Sequence, residues 1–190
     1  NKKTNITRIN SFEEGKILHI EDSLTALPEV NGAPDGPYAD LGTGGGFPGI
    51  PLAIATGRNT VLVDSVKKKA EILKRIICKL SLENQISTYD DRIENLAREK
   101  RNEFAIVTAR ALAKLSILME LASPLLLMGG RLVSYKSHIE EDEFSHAMSL
   151  QEKTGMTLVS DRPFTLSDQS TFRRLICFDK TSEAQINLPR

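Results

Sequence analysis

Residues 38–51, Tyr-Ala-Asp-Leu-Gly-Thr-Gly-Gly-Gly-Phe-Pro-Gly-Ile-Pro, hold the residue types best suited to bind a ligand in this chain. A short apolar run ends on an acid, Asp40. Five glycines follow within eight residues (Gly42, Gly44, Gly45, Gly46 and Gly49), and then comes an apolar run able to form a helix. Glycine admits positive φ and leaves room for a ligand where side chains would stand. The first turn of the helix offers N–H groups with no intrahelical partner. The chemistry is that of a loop cradling a nucleotide-type cofactor.

Three forms of such a loop compete. A phosphate-gripping P-loop is excluded, because no Gly-Lys-Ser/Thr follows the glycines. The dinucleotide fingerprint occurs as Gly44-Gly45-Gly46-Phe47-Pro48-Gly49, with Asp64 about 20 residues on. Its register argues against it: Gly42 and Thr43 already precede Gly44, and Pro48 sits where helical hydrogen bonding should be established. The third register, Asp40-x-Gly42-x-Gly44-x-Gly46, suits S-adenosylmethionine. Asp40 can attract the cationic methionine end, and Asp64, closing the second strand, can accept both ribose hydroxyls. Each acid also has a plainer reading. Asp64, followed by Ser65 and a helix, can be a helix cap, and Asp40 can be a cap or a surface charge.

These residues need a frame that alternates strands and helices. Strand-like runs at 38–41, 60–64, 86–89, 104–109, 131–136, about 156–160 and 173–179 alternate with helix-like runs near 49–56, 66–80, 92–100, 113–127 and 139–154. That pattern predicts an α/β fold with a parallel sheet. Only a short loop at about 161–172, containing Pro163, joins the last two strands, so they are predicted to close a mostly parallel seven-stranded sheet as an antiparallel hairpin. In the 66–80 helix, Ala70, Leu73, Ile77 and Leu80 form one apolar stripe, while Lys67, Lys68, Lys74, Arg75 and Lys79 gather on another side. Met128-Gly129-Gly130 is predicted to stop the 113–127 helix and launch the next strand. Residues 1–37 read as an N-terminal segment, helical around 11–26 and broken by Pro28, Gly32, Pro34, Gly36 and Pro37. Residues 38–190 read as the main domain of a single compact unit.

Composition narrows the classes. With 190 residues the chain suits one well-cored domain. Its 25 basic and 25 acidic residues cancel, so a nucleic-acid role must rest on a local patch. No apolar run approaches ~20 residues, and no leader-like segment opens the chain, so a cytoplasmic protein without a membrane span is expected. The opening Asn1-Lys2-Lys3 reads as the interior of a longer protein. Cys78 and Cys177 lack metal-ligand spacing and are expected to be two buried thiols in a reducing compartment, with no metal bound.

With Asp40–Pro51, Asp64-Ser65, Asp91-Arg92-Ile93-Glu94 and Val107-Thr108-Ala109-Arg110-Ala111 in view, the chain resembles the bacterial 16S ribosomal RNA guanine-N7 methyltransferases of the RsmG/GidB type. The family's Gly-Phe-Pro-Gly-hydrophobic-Pro ending stands here as Gly46-Phe47-Pro48-Gly49-Ile50-Pro51. His19-Ile20-Glu21-Asp22-Ser23-Leu24 resembles its His-x-x-Asp-Ser-Leu segment, and Gly129-Gly130-Arg131-Leu132-Val133 with Lys136 resembles its fifth strand. Asn187-Leu188-Pro189-Arg190 resembles the start of its basic tail. Members usually carry a further helical segment before this point and a longer tail after it.

The resemblance implies a Rossmann-like class I methyltransferase fold, S-adenosyl-L-methionine as cofactor, and 16S ribosomal RNA or the small ribosomal subunit as partner, with the protein acting as a monomer. By the same resemblance the cofactor contacts fall on Gly42, Phe47, Asp64, Ile93, Glu94 and Arg110. Guanine N7 carries a lone pair and no proton, so methyl transfer to it needs placement rather than a general base, and no catalytic base is named. The three histidines, His19, His138 and His146, are expected to be surface or packing residues. Arg110 and Lys136, after the fourth and fifth strands, are the candidates for gripping RNA. Two rivals stand beside this reading: a methyltransferase with another RNA or small-molecule substrate, and a noncatalytic nucleotide-binding protein of ribosome assembly.

Overall fold

The computed structural model describes residues 11–189. The first ten residues of the predicted N-terminal segment, and Arg190 of the closing motif, lie outside the described residues. Seven strands form one sheet: β1 (Tyr38–Leu41), β2 (Thr60–Val63), β3 (Ile86–Tyr89), β4 (Phe104–Arg110), β5 (Leu126–Lys136), β6 (Met156–Thr165) and β7 (Phe172–Lys180). Their order is β3-β2-β1-β4-β5-β7-β6. The pairs among β1 to β5 are parallel, while β5–β7 and β6–β7 are antiparallel. Chain direction across the sheet reverses between β1 and β4, and ligands of open α/β sheets bind beyond the carboxyl ends of the strands at such a point.

The strand sequences explain their places. Phe104–Ala109 is apolar apart from Thr108, because β4 is covered on both faces. In β6 half-buried and exposed positions alternate after the buried Met156, as befits an edge strand, and Pro163 is tolerated there. One face of the sheet packs against α5 (Ile93–Glu99), α6 (Leu115–Ala122) and α7 (Glu141–Ser149) through residues such as Leu96, Leu118 and Ala147. The other face meets α3 (Gly49–Thr56) and α4 (Lys67–Lys79), with Leu52 and Leu73 in its cores. Side chains alternate along a strand, so Ala39 and Leu41 of β1 enter the first core while Tyr38 enters the second.

The N-terminal segment packs into the same body. Residues 12–24 form a helix (α1) whose middle, Lys16–Glu21, is wound as a wide π-helical turn. Pro28 does not break the next helix. It sits in the first turn of α2 (Leu27–Asn31), where the missing N–H has no intrahelical role. Ala26 and Val30 are fully buried with Tyr38, Leu52 and Val133.

Other expectations are also corrected. Helix α6 ends at Ala122, and β5 begins at Leu126, so Gly129 and Gly130 lie inside the strand rather than at a helix end. They form a bulge: Phe104 pairs with Leu126 but Ile106 pairs with Arg131. Gly129 takes φ +80, and a Cβ on Gly130 would lie 2.9 Å from the carbonyl oxygens of Leu127 and Phe104. The 139–154 helix is two, α7 and α8 (Gln151–Thr154), and the second ends at Gly155 with φ +70. The hairpin strands run longer than predicted and leave only residues 166–171 between them. On α4, Ala70, Leu73 and Ile77 are buried as the stripe predicts, but Leu80 is half exposed just past the helix end. Cys78 is exposed, not buried, whereas Cys177 is buried and its thiol is pushed up to about 12 by burial.

Candidate active site

The glycine turn is held from below by Asp40. β1 and β4 pair with Asp40 opposite Thr108, which puts both side chains on the face that α3 covers. The Thr108 hydroxyl donates to Asp40 Oδ1 at 2.6 Å, and the Gly49 N–H, at the start of α3, donates to Oδ2 at 2.9 Å. Tyr38 Oη lies 2.6 Å from Thr108 Oγ1 and completes a buried chain. Gly49 is required by this approach: a Cβ there would lie 2.3 Å from Leu62 Cδ2 and 2.8 Å from Asp40 Oδ2. Asp40 is fully buried, and burial raises its carboxyl from 3.8 to about 6 despite these donors. The structure therefore corrects the expected role of Asp40. It is an anchor for the turn and does not face a cofactor.

Above the turn lies a cleft of about 470 Å³ at the carboxyl ends of the strands, within the range of ligand cavities. Gly42, Asp64, Ile93 and Glu94 all line it, together with Val66 and Leu112. Asp64 directly follows β2 and serves twice: Oδ2 accepts from the Gly44 N–H at 3.1 Å, and Oδ1 accepts from the Val66 N–H at 2.9 Å. Both readings of Asp64 thus have a basis in geometry, a turn that leads into α4 and a carboxylate at the cleft. Asp91 organises the opposite rim by accepting from the Arg92 N–H and from Asn95 Nδ2, both at 2.7 Å.

The lining fits S-adenosylmethionine. A Cβ on Gly44 would meet only the Gly42 carbonyl oxygen, at 3.9 Å, so space stays open over the turn. Val66, Ile93 and Leu112 offer apolar surface to a purine, and Asp64 offers a carboxylate to hydroxyls. Three carboxylates (Asp64, Asp91 and Glu94) face two cations (Lys69 and Arg92) across the lining. That balance suits a cationic sulfonium nucleoside better than a polyphosphate.

Phe47 and Arg110 are not in this cleft. The Phe47 ring stacks on His19 from α1, with centroids 4.3 Å apart and planes 9° from parallel, and the Arg110 guanidinium carbon stands 5.9 Å from the Phe47 centroid. Arg110 Nη1 donates to the Leu18 carbonyl at 3.1 Å and to Asp22 Oδ2 at 2.8 Å. Burial and the Arg110 charge hold the His19 imidazole below its ordinary value. His19 is a packing residue, as expected, but it packs on the cofactor loop itself. Lys136 is committed elsewhere: Nζ donates to the Ala113 carbonyl at 2.9 Å and pairs with Glu143 at 2.8 Å. His138 and His146 are exposed.

Sequence reasoning missed Asp22 and Arg173 as site residues. Asp22 is fully buried, and its Oδ1 accepts from Arg173 Nε at 3.1 Å. A usable signal was the acid within His19-x-x-Asp22-Ser23, whose buried side of α1 needs a cationic partner.

Comparisons with known proteins agree with this architecture. A family model described as rRNA small subunit methyltransferase G matches residues 1–166. A protein named ribosomal RNA small subunit methyltransferase G from Lachnoclostridium phytofermentans is 37% identical over all of this chain and 79% of its own length, and one of the same name from Desulfitobacterium hafniense is 36% identical over the same shares. Among solved structures, geranyl diphosphate methyltransferase in complex with SAM superposes with a TM-score of 0.64 at 15% identity, over 83% of this chain and 85% of that one. The fold is the Rossmann-like α/β fold of class I methyltransferases, and the chain belongs to the rRNA small subunit methyltransferase G family.

Proposed function

We propose that this chain uses S-adenosyl-L-methionine to methylate N7 of a guanine in 16S ribosomal RNA, acting as a cytoplasmic monomer on the small subunit or its RNA. The observation that carries the reading is the meeting of Gly42, Asp64, Ile93 and Glu94 in one cleft at the β1/β4 reversal. The names of the relatives support the RNA, and the resemblance of the motifs supports the guanine. Among the described residues no helix is long and apolar enough to cross a membrane.

S-adenosylmethionine supplies a methyl group made electrophilic by a sulfonium. The residues around the cleft bind and orient. Asp64 would accept from the ribose hydroxyls, Ile93 and Leu112 would flank the base, and Glu94 would give a further acceptor. Asp40 and Gly49 fix the turn, so little reorganisation is needed at the moment of transfer. Transfer to the N7 lone pair would exchange an S–C bond for an N–C bond and leave the positive charge on the purine. No proton moves, so no residue is required as a base. Arg110, joined to Phe47 and Asp22, holds the end of β4 where the RNA must arrive.

The test is transfer of label from S-adenosylmethionine to small-subunit RNA, or to small subunits from cells lacking the gene, followed by mapping. Label at N7 of a single guanine is the expected result. Label at another atom or RNA favours the rival methyltransferase reading. Cofactor binding with no transfer overturns the assignment as an enzyme.

A further inference from the structure

A second cavity, of about 330 Å³, opens between α1 and the ends of β4, β5 and β7. Leu18, Asp22, Arg110, Ala111, Tyr135 and Arg173 line it. Ala111 also lines the cofactor cleft, so one residue forms a wall common to both spaces. Ala111 holds φ +54, a left-handed conformation that a residue with a Cβ seldom keeps unless its surroundings impose it.

We infer that this cavity receives the acceptor purine and that Arg173 reads its O6, selecting guanine over adenine. The inference rests on the function proposed above and adds the site and the residue that choose the base. Leu18, Ala111 and the Tyr135 ring give apolar surface, while Asp22, Arg110, Lys136 and Arg173 bring charge to the lining. Arg173 is clamped there: Nε donates to the buried Asp22, and Nη1 donates to the Phe172 carbonyl at 3.0 Å. Nη2 donates to no described residue. A guanidinium fixed on two edges is a rigid, permanently charged donor. Guanine offers O6 to it as an acceptor, whereas adenine offers an amino group, setting donor against donor.

Three other basic residues stand in the lining, Arg110, Lys136 and His138. Lys136 is bound to Ala113 and Glu143, His138 Nε2 lies 2.9 Å from Glu140 Oε1, and Arg110 is bound through Nη1 to Leu18 and Asp22 with its guanidinium carbon 5.9 Å from the Phe47 centroid. Asp22 accepts from both arginines and offsets one of their charges. That offset matters because the purine becomes cationic as N7 gives up its lone pair.

The test is a cycle between the side chain and the O6 edge of the substrate. Wild type, Arg173→Ala and Arg173→Lys are assayed for kcat/KM on small-subunit RNA carrying guanine or 2-aminopurine at the mapped target. 2-Aminopurine keeps N7, has hydrogen in place of O6 and lacks the N1 proton, a loss common to every enzyme in the cycle. In wild type, loss of O6 is expected to lower kcat/KM by about 10–100-fold, the worth of a hydrogen bond to a charged donor. Arg173→Ala should lose a similar factor on guanine and little more than threefold on 2-aminopurine. Arg173→Lys keeps a charge beside Asp22 and should show the same pattern, which covers the case that the alanine variant fails to fold. Equal losses on both substrates would mean that Arg173 only supports Asp22, and the base-reading role would be withdrawn. A wild type that methylates no guanine N7 refutes the proposed function instead; an active wild type with a flat cycle refutes only this inference.

Discussion

Asp40→Asn isolates the electrostatic cost of holding the glycine turn. The variant keeps the shape of the side chain, and its amide oxygen can still accept from the Gly49 N–H. Its amide nitrogen can donate to Thr108, whose hydroxyl would turn toward Tyr38. The charge alone is removed. Burial holds the wild-type carboxyl at about 6 in the folded chain against an ordinary 3.8. At ~1.4 kcal/mol per pH unit, that difference is worth about 3 kcal/mol. The sign is set by proton binding. Between these two values the folded chain binds more protons than the unfolded chain, so this contribution is fully present below 3.8 and is lost as pH rises through about 6. Asparagine does not titrate. Urea unfolding of both proteins from about pH 3 to about pH 8 should therefore show the variant gaining about 3 kcal/mol relative to wild type as pH rises, because the remaining acids titrate alike in both. A difference that stays flat, or wild type gaining on the variant, would refute the argument. It would mean that the Thr108 and Gly49 donors outweigh desolvation.

Four further substitutions probe the neighbouring parts. Asp64→Ala should weaken S-adenosylmethionine binding by ~1–3 kcal/mol in calorimetric titration, and unchanged affinity would leave Asp64 as a helix-leading turn only. Gly49→Ala forces a Cβ against Leu62 and Asp40 and should cost ~1–3 kcal/mol in urea unfolding. Gly15→Ala, with nothing within 4 Å of the new Cβ, should gain ~0.5–1 kcal/mol; equal effects at the two sites would refute the packing argument. Asp22→Ala leaves two arginines without their shared carboxylate and should cost about 3 kcal/mol, the lower end for a broken buried pair because both guanidinium groups keep some solvent. A melting temperature within about 2 °C of wild type, where about 6–12 °C is expected, would show that water serves them as well.

The parallel sheet and the cofactor loop were legible in the sequence for a shared reason. Strand residues buried on both faces leave near-continuous apolar runs, and a backbone turn that must admit a ligand leaves glycines at fixed spacing. What the sequence hid was direction. Asp40 and Asp64 both follow apolar strand residues, yet Asp40 faces α3 and is sealed, while Asp64, one position past the end of β2, reaches the cleft. Local spacing carries no information on which face a neighbouring helix will cover. The glycine pair at 129–130 misled for a related reason, since a helix stop and a strand bulge demand the same φ freedom. The link from His19 and Asp22 to Phe47, Arg110 and Arg173 spans up to 151 residues of sequence separation, and no local pattern encodes it.

Two departures from local rules flank the reversal of the sheet. Asp40 at the end of β1 is a carboxylate sealed from water, and Ala111, just past β4, is an alanine at φ +54. Elsewhere among the described residues, non-glycine positive φ falls on Ser81, Asn102 and Gln169, polar residues on the exposed surface. Ala111 is different because its strain buys nothing for the turn that a glycine would not supply at lower cost. Ala111 is exposed like those residues, but it alone of the four lines both cavities. Sequences give up stability where geometry must be exact for function. The sealed charge under the glycine turn and the strained alanine past β4 both stand at the carboxyl ends of the strands, where the cleft opens.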